Sequence, residues 1–170
     1  MWKPKLLPNL LLASLLTLTG SVQALDSDRK QPISLEADSA VMDEAKGHYV
    51  YSGNVIVTQG SMIISANSVE IIMDANDNID RFHAIGNADS QAHLQQSAQS
   101  DQSKLEAWAD DLVYEVIKDV ITLTGHAALH QKGNQFSGDT IYYSVADEKV
   151  KANAKPNTKQ RVKMIFNPGS

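Results

Sequence analysis

The chain of 170 residues contains no cysteine. That excludes a disulfide framework, a thiolate metal site and a cysteine nucleophile. Large aromatics are scarce, with three Phe and two Trp, so a core must be filled by Val, Ile, Leu, Met and Tyr. Beyond the amino-terminal residues no apolar period of 3.6 persists for the roughly 11 residues that an amphipathic helix needs. Lys and Arg form no stripe and the net charge is −5, which argues against nucleic acid as a partner. No Gly-x-Ser-x-Gly, P-loop or dinucleotide fingerprint occurs. The length fits one domain.

What the chain does have is a repeat. Ser52-Gly53-Asn54-Val55-Ile56-Val57-Thr58-Gln59 returns in degenerate form as Thr124-Gly125-His126-Ala127-Ala128-Leu129-His130-Gln131. The offset is 125 − 53 = 72 residues. At that offset Ala37-Asp38 falls on Ala109-Asp110, Ser65 on Ser137 and Val69 on Ile141. One deletion then brings Ile79 onto Val150. A β-rich unit used twice is expected, with halves at about 31–89 and 104–166, and a fixed-period repeat constrains the fold more than composition does.

The amino terminus reads as a secretory leader. Trp2-Lys3-Pro4-Lys5 is a basic start, Leu6 to Leu18 is mostly apolar, and Val22-Gln23-Ala24 suits cleavage after Ala24. An uncleaved anchor is the alternative, but the apolar run falls short of the roughly 20 residues a span needs. Loss of Lys3 and Lys5 would leave −5 − 2 = −7 on the single domain of residues 25–170.

The remaining chain reads as strands separated by turn signals, hence an all-β sandwich or barrel. Pro32 introduces the alternation Ile33, Leu35, Ala37, and a proline at that place marks an edge strand. Ala45-Lys46-Gly47 turns one hairpin and Lys118-Asp119 a second, two-residue one. With Ile117 opposite Val120, Val116 would face Ile121 and Tyr114 would face Leu123. Asn67 and Gly138-Asp139 are expected turns between separate strands. Ser90 to Lys104, rich in Gln and Ser, is expected as an exposed connection with a weak strand at Ala92–Gln95. Leu105 to Val113 has the composition of a short helix, and Val162 to Phe166 of a last strand.

Candidate chemistry is thin. His126 and His130 on a strand would lie about 13 Å apart, too far to share a zinc ion with ligand atoms near 2 Å. Asp38 and Asp110-Asp111 recur between the copies, but solvated carboxylates at strand starts are commoner than acid–base pairs. No catalytic residue, metal site or cofactor is expected. The apolar strands either close into a core or hold two sheets apart around a slot for lipid.

Gln31-Pro32-Ile33, Glu36-Ala37-Asp38 and Ser52 to Gly60 resemble the OstA-like (LptA) family of periplasmic lipopolysaccharide-transport proteins. Tyr114-Glu115, Lys118-Asp119, Leu123-Thr124-Gly125, Gly138-Asp139 and Ile141 to Tyr143 continue the likeness, which runs from Gln31 to about Phe166. The chain departs from the pattern at Ser90 to Ser103 and in its short tail after Phe166. The resemblance implies an open, V-shaped β-jellyroll and a periplasmic carrier, not an enzyme. The carrier would bind lipopolysaccharide by its lipid A acyl chains. It would receive the lipid from an inner-membrane exporter with a membrane-anchored jellyroll partner, and pass it to an outer-membrane barrel. Copies of the chain itself would stack end to end.

On that reading the groove is lined by Ile33, Leu35, Met42, Tyr49, Tyr51, Val55, Val57, Ile64 and Val69. Ile71, Tyr114, Val116, Ile121, Leu123, Leu129, Phe136, Ile141 and Tyr143 complete it. The partner edges are Ile33-Ser34-Leu35-Glu36 at one end and Val162, Met164, Ile165 and Phe166 at the other, since an unpaired edge invites a strand from another chain. Structural envelope modules and carriers of other envelope lipids remain as alternatives.

Overall fold

The structure, a computed structural model, describes residues 28–97 and 104–168. The expected leader lies outside the described residues, as does part of the Gln- and Ser-rich connection. The order is β1 (Ile33–Glu36), β2 (Ser39–Asp43), a single 3-10 turn (Glu44–Lys46), β3 (His48–Gln59), β4 (Met62–Met73), β5 (Ile79–Ile85) and β6 (Ala92–Gln96). Then follow β7 (Leu105–Ala109), β8 (Asp111–Glu115), β9 (Val120–Gln131), β10 (Asn134–Ser144), β11 (Lys149–Asn153) and β12 (Lys163–Ile165). All pairings are antiparallel. The fold is a β-jellyroll whose long strands β3, β4, β9 and β10 each serve two layers.

The pairings explain how. Residues 56–59 of β3 pair with β1, and residues 48–52 pair with β2. The same division splits β4 between β6 and β5, β9 between β7 and β8, and β10 between β12 and β11. One layer therefore runs β1-β3-β4-β6-β7-β9-β10-β12. The other runs β2-β3-β4-β5-β8-β9-β10-β11. They part at irregularities between Ser52 and Val55 and between Gly138 and Thr140. Asn67 and Gly138-Asp139 are thus not turns. They sit in continuous strands opposite two-residue bulges, which the same small polar residues serve. The layers meet at this crease and open toward the turns.

The six strands β1–β6 are repeated as β7–β12. Ile33 maps to Leu105, His48 to Val120 and Met62 to Asn134 at the offset of 72. The single later deletion is corrected. Tyr143 pairs with Val150 as Ile71 pairs with Phe82, so Val150 stands in the place of Phe82, not Ile79. The longer Asp74–Asn78 turn and the irregularity at Ile72/Met73 consume the difference.

Three local expectations change. Leu105 to Val113 is no helix but two strands broken at Asp110, because Leu105, Ala107 and Ala109 alternate into the core. Ala92–Gln96 is a full strand joining β4 to β7, with Ala92 and Leu94 buried. The second hairpin has a four-residue connection, Val116 to Asp119, so Tyr114 faces Ile121 and Leu112 faces Leu123. That shift of two residues preserves parity, and the face assignment survives it.

Candidate functional site

Val55, Val57, Ile64, Val69, Ile71, Tyr114, Ile121, Leu123, Leu129, Ile141 and Tyr143 are buried between the layers. Ile33, Leu35, Tyr49, Tyr51, Val116 and Phe136 pack against them from the margins. Met42 does not join them. It faces Tyr49 in the ladder, yet is 62% exposed because β2 ends its layer with no strand beyond it. Its sulfur accepts from the Tyr51 hydroxyl at 4.0 Å. The expected lining omitted Met62, Phe82, Leu94, Leu105 and Leu112, all buried. The alternation Phe82-His83-Ala84 was a usable signal for β5. In β6 and β7 small alanines hid it.

The interior is apolar throughout. No polar or charged residue among those described is buried in it. Its middle is sealed, with Val57, Ile64, Phe82, Leu123 and Leu129 at 0% exposure. A recess of about 480 Å³ remains at the open side, lined by Arg29, Gln59, Met73, Asp77, Asn78, Ile79, Phe82, Val116 and Ile117. Phe82 and Tyr114 lie stacked behind it, ring centres 6.4 Å apart.

Polar groups tie the two layers across this mouth. Arg29 Nη2 lies 2.5 Å from Asp119 Oδ1 and donates to the Tyr114 hydroxyl at 3.4 Å. Tyr114 in turn donates to Asp119 Oδ1 at 3.2 Å. Lys132, in the β9–β10 turn, meets Glu148 of the β10–β11 turn at 2.5 Å, and Gln131 Nε2 donates to the Tyr143 hydroxyl. Burial works against the charge on Arg29, but Tyr114 and Asp119 outweigh it and raise its pKa. Burial first, then Asp119, holds the Tyr114 hydroxyl above its ordinary value. Burial also pushes Tyr143 up to about 12, with Glu148 adding to it.

Among the described residues, β1 pairs with β3 alone and β12 with β10 alone. Val162, Met164, Ile165 and Phe166 are exposed at one end, and Val41 and Met42 at the other.

The recurring aspartates have a structural task. Asp38 N–H donates to Gly53 O at 2.9 Å and Asp110 N–H to Gly125 O at 2.9 Å. Their carboxylates meet Asn54 Nδ2 at 2.9 Å and His126 Nδ1 at 2.8 Å. His130 packs edge-on against Trp108, which stacks on His93. No group of three or more metal-ligating side chains occurs among the described residues.

Residues 34–149 match the family described as LptA/(LptD N-terminal domain) LPS transport protein. The chain belongs to this family. It is 33% identical over 150 residues to the lipopolysaccharide export system protein LptH of Pseudomonas aeruginosa, covering 85% of this chain and 84% of that protein. It is 34% identical over 149 residues to LptA of Escherichia coli, covering 87% of this chain and 79% of the other. Among solved structures, the crystal structure of P. aeruginosa LptH superposes with a TM-score of 0.72 at 31% identity, over 84% of this chain and 99% of that one. That structure is described as the LptA-homologous periplasmic component of the lipopolysaccharide transport device. The LptA family is one of transport proteins.

Proposed function

We propose that this LptA-family protein is exported by residues 1–24 to the periplasm. There it binds lipopolysaccharide by its lipid A acyl chains and carries it from the inner-membrane exporter to the outer-membrane barrel. The observation that carries this reading is an uninterrupted apolar interior with one open side and unfinished strands at both ends. Burying a methylene is worth about 0.8 kcal/mol, and apolar contact is non-directional. Such a lining holds chains yet lets them slide, and needs no cofactor.

The internal repeat supplies a template for joining copies. Within the chain β6 pairs with β7, and β5 with β8, across the seam between its halves. The free strands are their counterparts: β12 and β11 at one end, β1 and β2 at the other. Met164 pairs with Phe136 as Leu94 pairs with Ile64, so Met164 stands in the place of Leu94. Leu35 stands in the place of Ala107 by the offset of 72. Met164 of one copy would then face Leu35 of the next, as Leu94 faces Ala107. Lys163 would face Glu36, Val150 would cover exposed Met42, and Lys149 would face Asp43 as Arg81 faces Glu115. The same β1–β2 end would receive the membrane-anchored upstream partner, and Val162 to Phe166 the downstream barrel.

Purified protein carrying a photo-crosslinker in place of Leu123 should capture lipopolysaccharide, and one in place of outward-facing Glu115 should not. Capture only from Glu115 would overturn the reading. A sealed middle also suits an envelope module that merely polymerises, and failure of both positions to capture lipid would favour that. Ile33→Asp should abolish docking of the upstream partner while leaving the domain folded, with co-purification as the measurement.

A further inference from the structure

Residues 28–31 cross from one layer to the other at the mouth, and they are fastened very differently on the two sides. On the β1–β3–β4–β6 layer the grip is broad. Asp28 Oδ2 accepts from Ser61 Oγ at 2.5 Å and from Gln96 Nε2 at 3.2 Å. Gln59 Nε2 donates to the carbonyls of Arg29 at 3.1 Å and Gln31 at 3.2 Å. The turn closes on itself through Gln31 N–H to Asp28 O at 2.9 Å. Gly60 leaves room for it, since a Cβ there would stand 2.3 Å from Asp28 Oδ1. Among the described residues, the hold on the other layer is the Arg29 guanidinium, on Asp119 and Tyr114.

We propose that Asp28–Gln31 is a strap that latches the two layers shut, with Arg29 and Asp119 as its releasable catch, and that lipid enters through the adjoining recess when the catch opens. Three observations carry this. The interior behind the strap is sealed, so cargo cannot enter without the layers parting. The recess is bounded by Arg29 itself and floored by Met73, Ile79, Phe82 and Val116. The catch is also incompletely satisfied, because Arg29 Nε is buried without a partner, which weakens the closed state. Arg29 and Asp119 side chains retain 32% and 15% exposure. Solvent therefore screens the pair, and its strength is comparable with burying about one methylene. An entering acyl chain can open it, while the empty protein stays closed and keeps its apolar faces from water. A latch of this kind lowers apparent affinity by the fraction of molecules that are open.

The inference rests on the lipid-carrying reading, so the test separates the two. Cysteines in place of Arg29 and Asp119 would be the only ones in the chain, and a reducible bismaleimide would join them. Two probes are used: lipopolysaccharide for the cargo and N-phenylnaphthylamine, a dye that fluoresces in apolar surroundings, for the opening. The cross-linked protein should take up neither, and reduction should restore both. Arg29→Gln and Asp119→Asn should each speed dye uptake several-fold. Gly60→Ala should do the same by displacing Asp28 without touching the catch. Lys118→Gln, beside the catch in the same turn, should change nothing. Dye uptake unaffected by the cross-link, or equal in Arg29→Gln and the unmodified protein with circular dichroism unchanged, would overturn the latch. A latch that governs dye in a protein that takes up no lipopolysaccharide would instead overturn the cargo.

Discussion

Asp38 and Asp110 stand 72 residues apart and do the same thing. Each donates its amide to the glycine that opens a bulge, Gly53 or Gly125, and each turns its carboxylate onto the following side chain. Those bulges are where one strand leaves one layer and joins the other. The residues that repeat most visibly in the chain are thus the ones that form the crease.

Gly53→Ala and Gly125→Ala should each destabilise the fold by about 1–3 kcal/mol, the usual cost of a strained backbone position. The glycines have φ of +79° and +78°, and a Cβ would come within 2.3 Å of Asp38 Oδ2 or 2.4 Å of Asp110 Oδ2. Adding Asp38→Ala to Gly53→Ala removes the carboxylate from the clash, but leaves the Asp38 Cβ position at 2.8 Å and the φ penalty. The double variant should therefore cost less than the sum of the singles. Urea denaturation measures both.

Leu94→Ala should cost about 2–5 kcal/mol, as for other buried leucines, because Leu94 is 1% exposed in a strand that joins the two halves. Met42→Ala should change monomer stability by less than about 0.5 kcal/mol and yet weaken self-association. Denaturation and sedimentation together separate the two effects.

Self-association should follow charge across the proposed junction. Lys149→Asp should weaken it, and Asp43→Lys on the same chain should restore it. Lys163→Glu with Glu36→Lys should behave likewise. Asp43 already holds Lys46 at 2.8 Å, so the Lys149 pair competes with a local one and should give the smaller effect. Oligomer size by light scattering at low and high salt is the measurement.

Alkaline stability should report on Tyr143. Its folded pKa of about 12 lies above the ordinary 10, so the folded state favours the neutral phenol. The contribution is fully present below pH 10 and is lost as pH rises toward 12. Tyr114 is raised too and adds in the same direction. Tyr143→Phe should flatten the decline of stability between pH 10 and 12 in denaturation curves.

Much of this architecture was legible in the chain, for reasons that the failures make clear. Side-chain parity was robust: Tyr114 and Leu123 point inward although their ladder is shifted by two residues, since only an odd slip exchanges faces. Turn and bulge were not distinguishable at Asn67 or Gly138, because both need the same backbone tolerance. β6 was undervalued because its polar residues His93, Gln95 and Gln96 outnumber Ala92 and Leu94. The strap was illegible: Arg29 and Tyr114 are 85 residues apart, and nothing local in either announces the other.

The seam inside the chain has a consequence for size. A rule by which six strands are followed by six more contains no last step, and the free strands at either end repeat its opening and closing moves. Among the described residues, nothing would measure how long a filament of such copies should grow. Length must be decided by whatever occupies the two termini and lacks a matching edge to offer, so the distance between the membranes, rather than this polypeptide, would be the ruler.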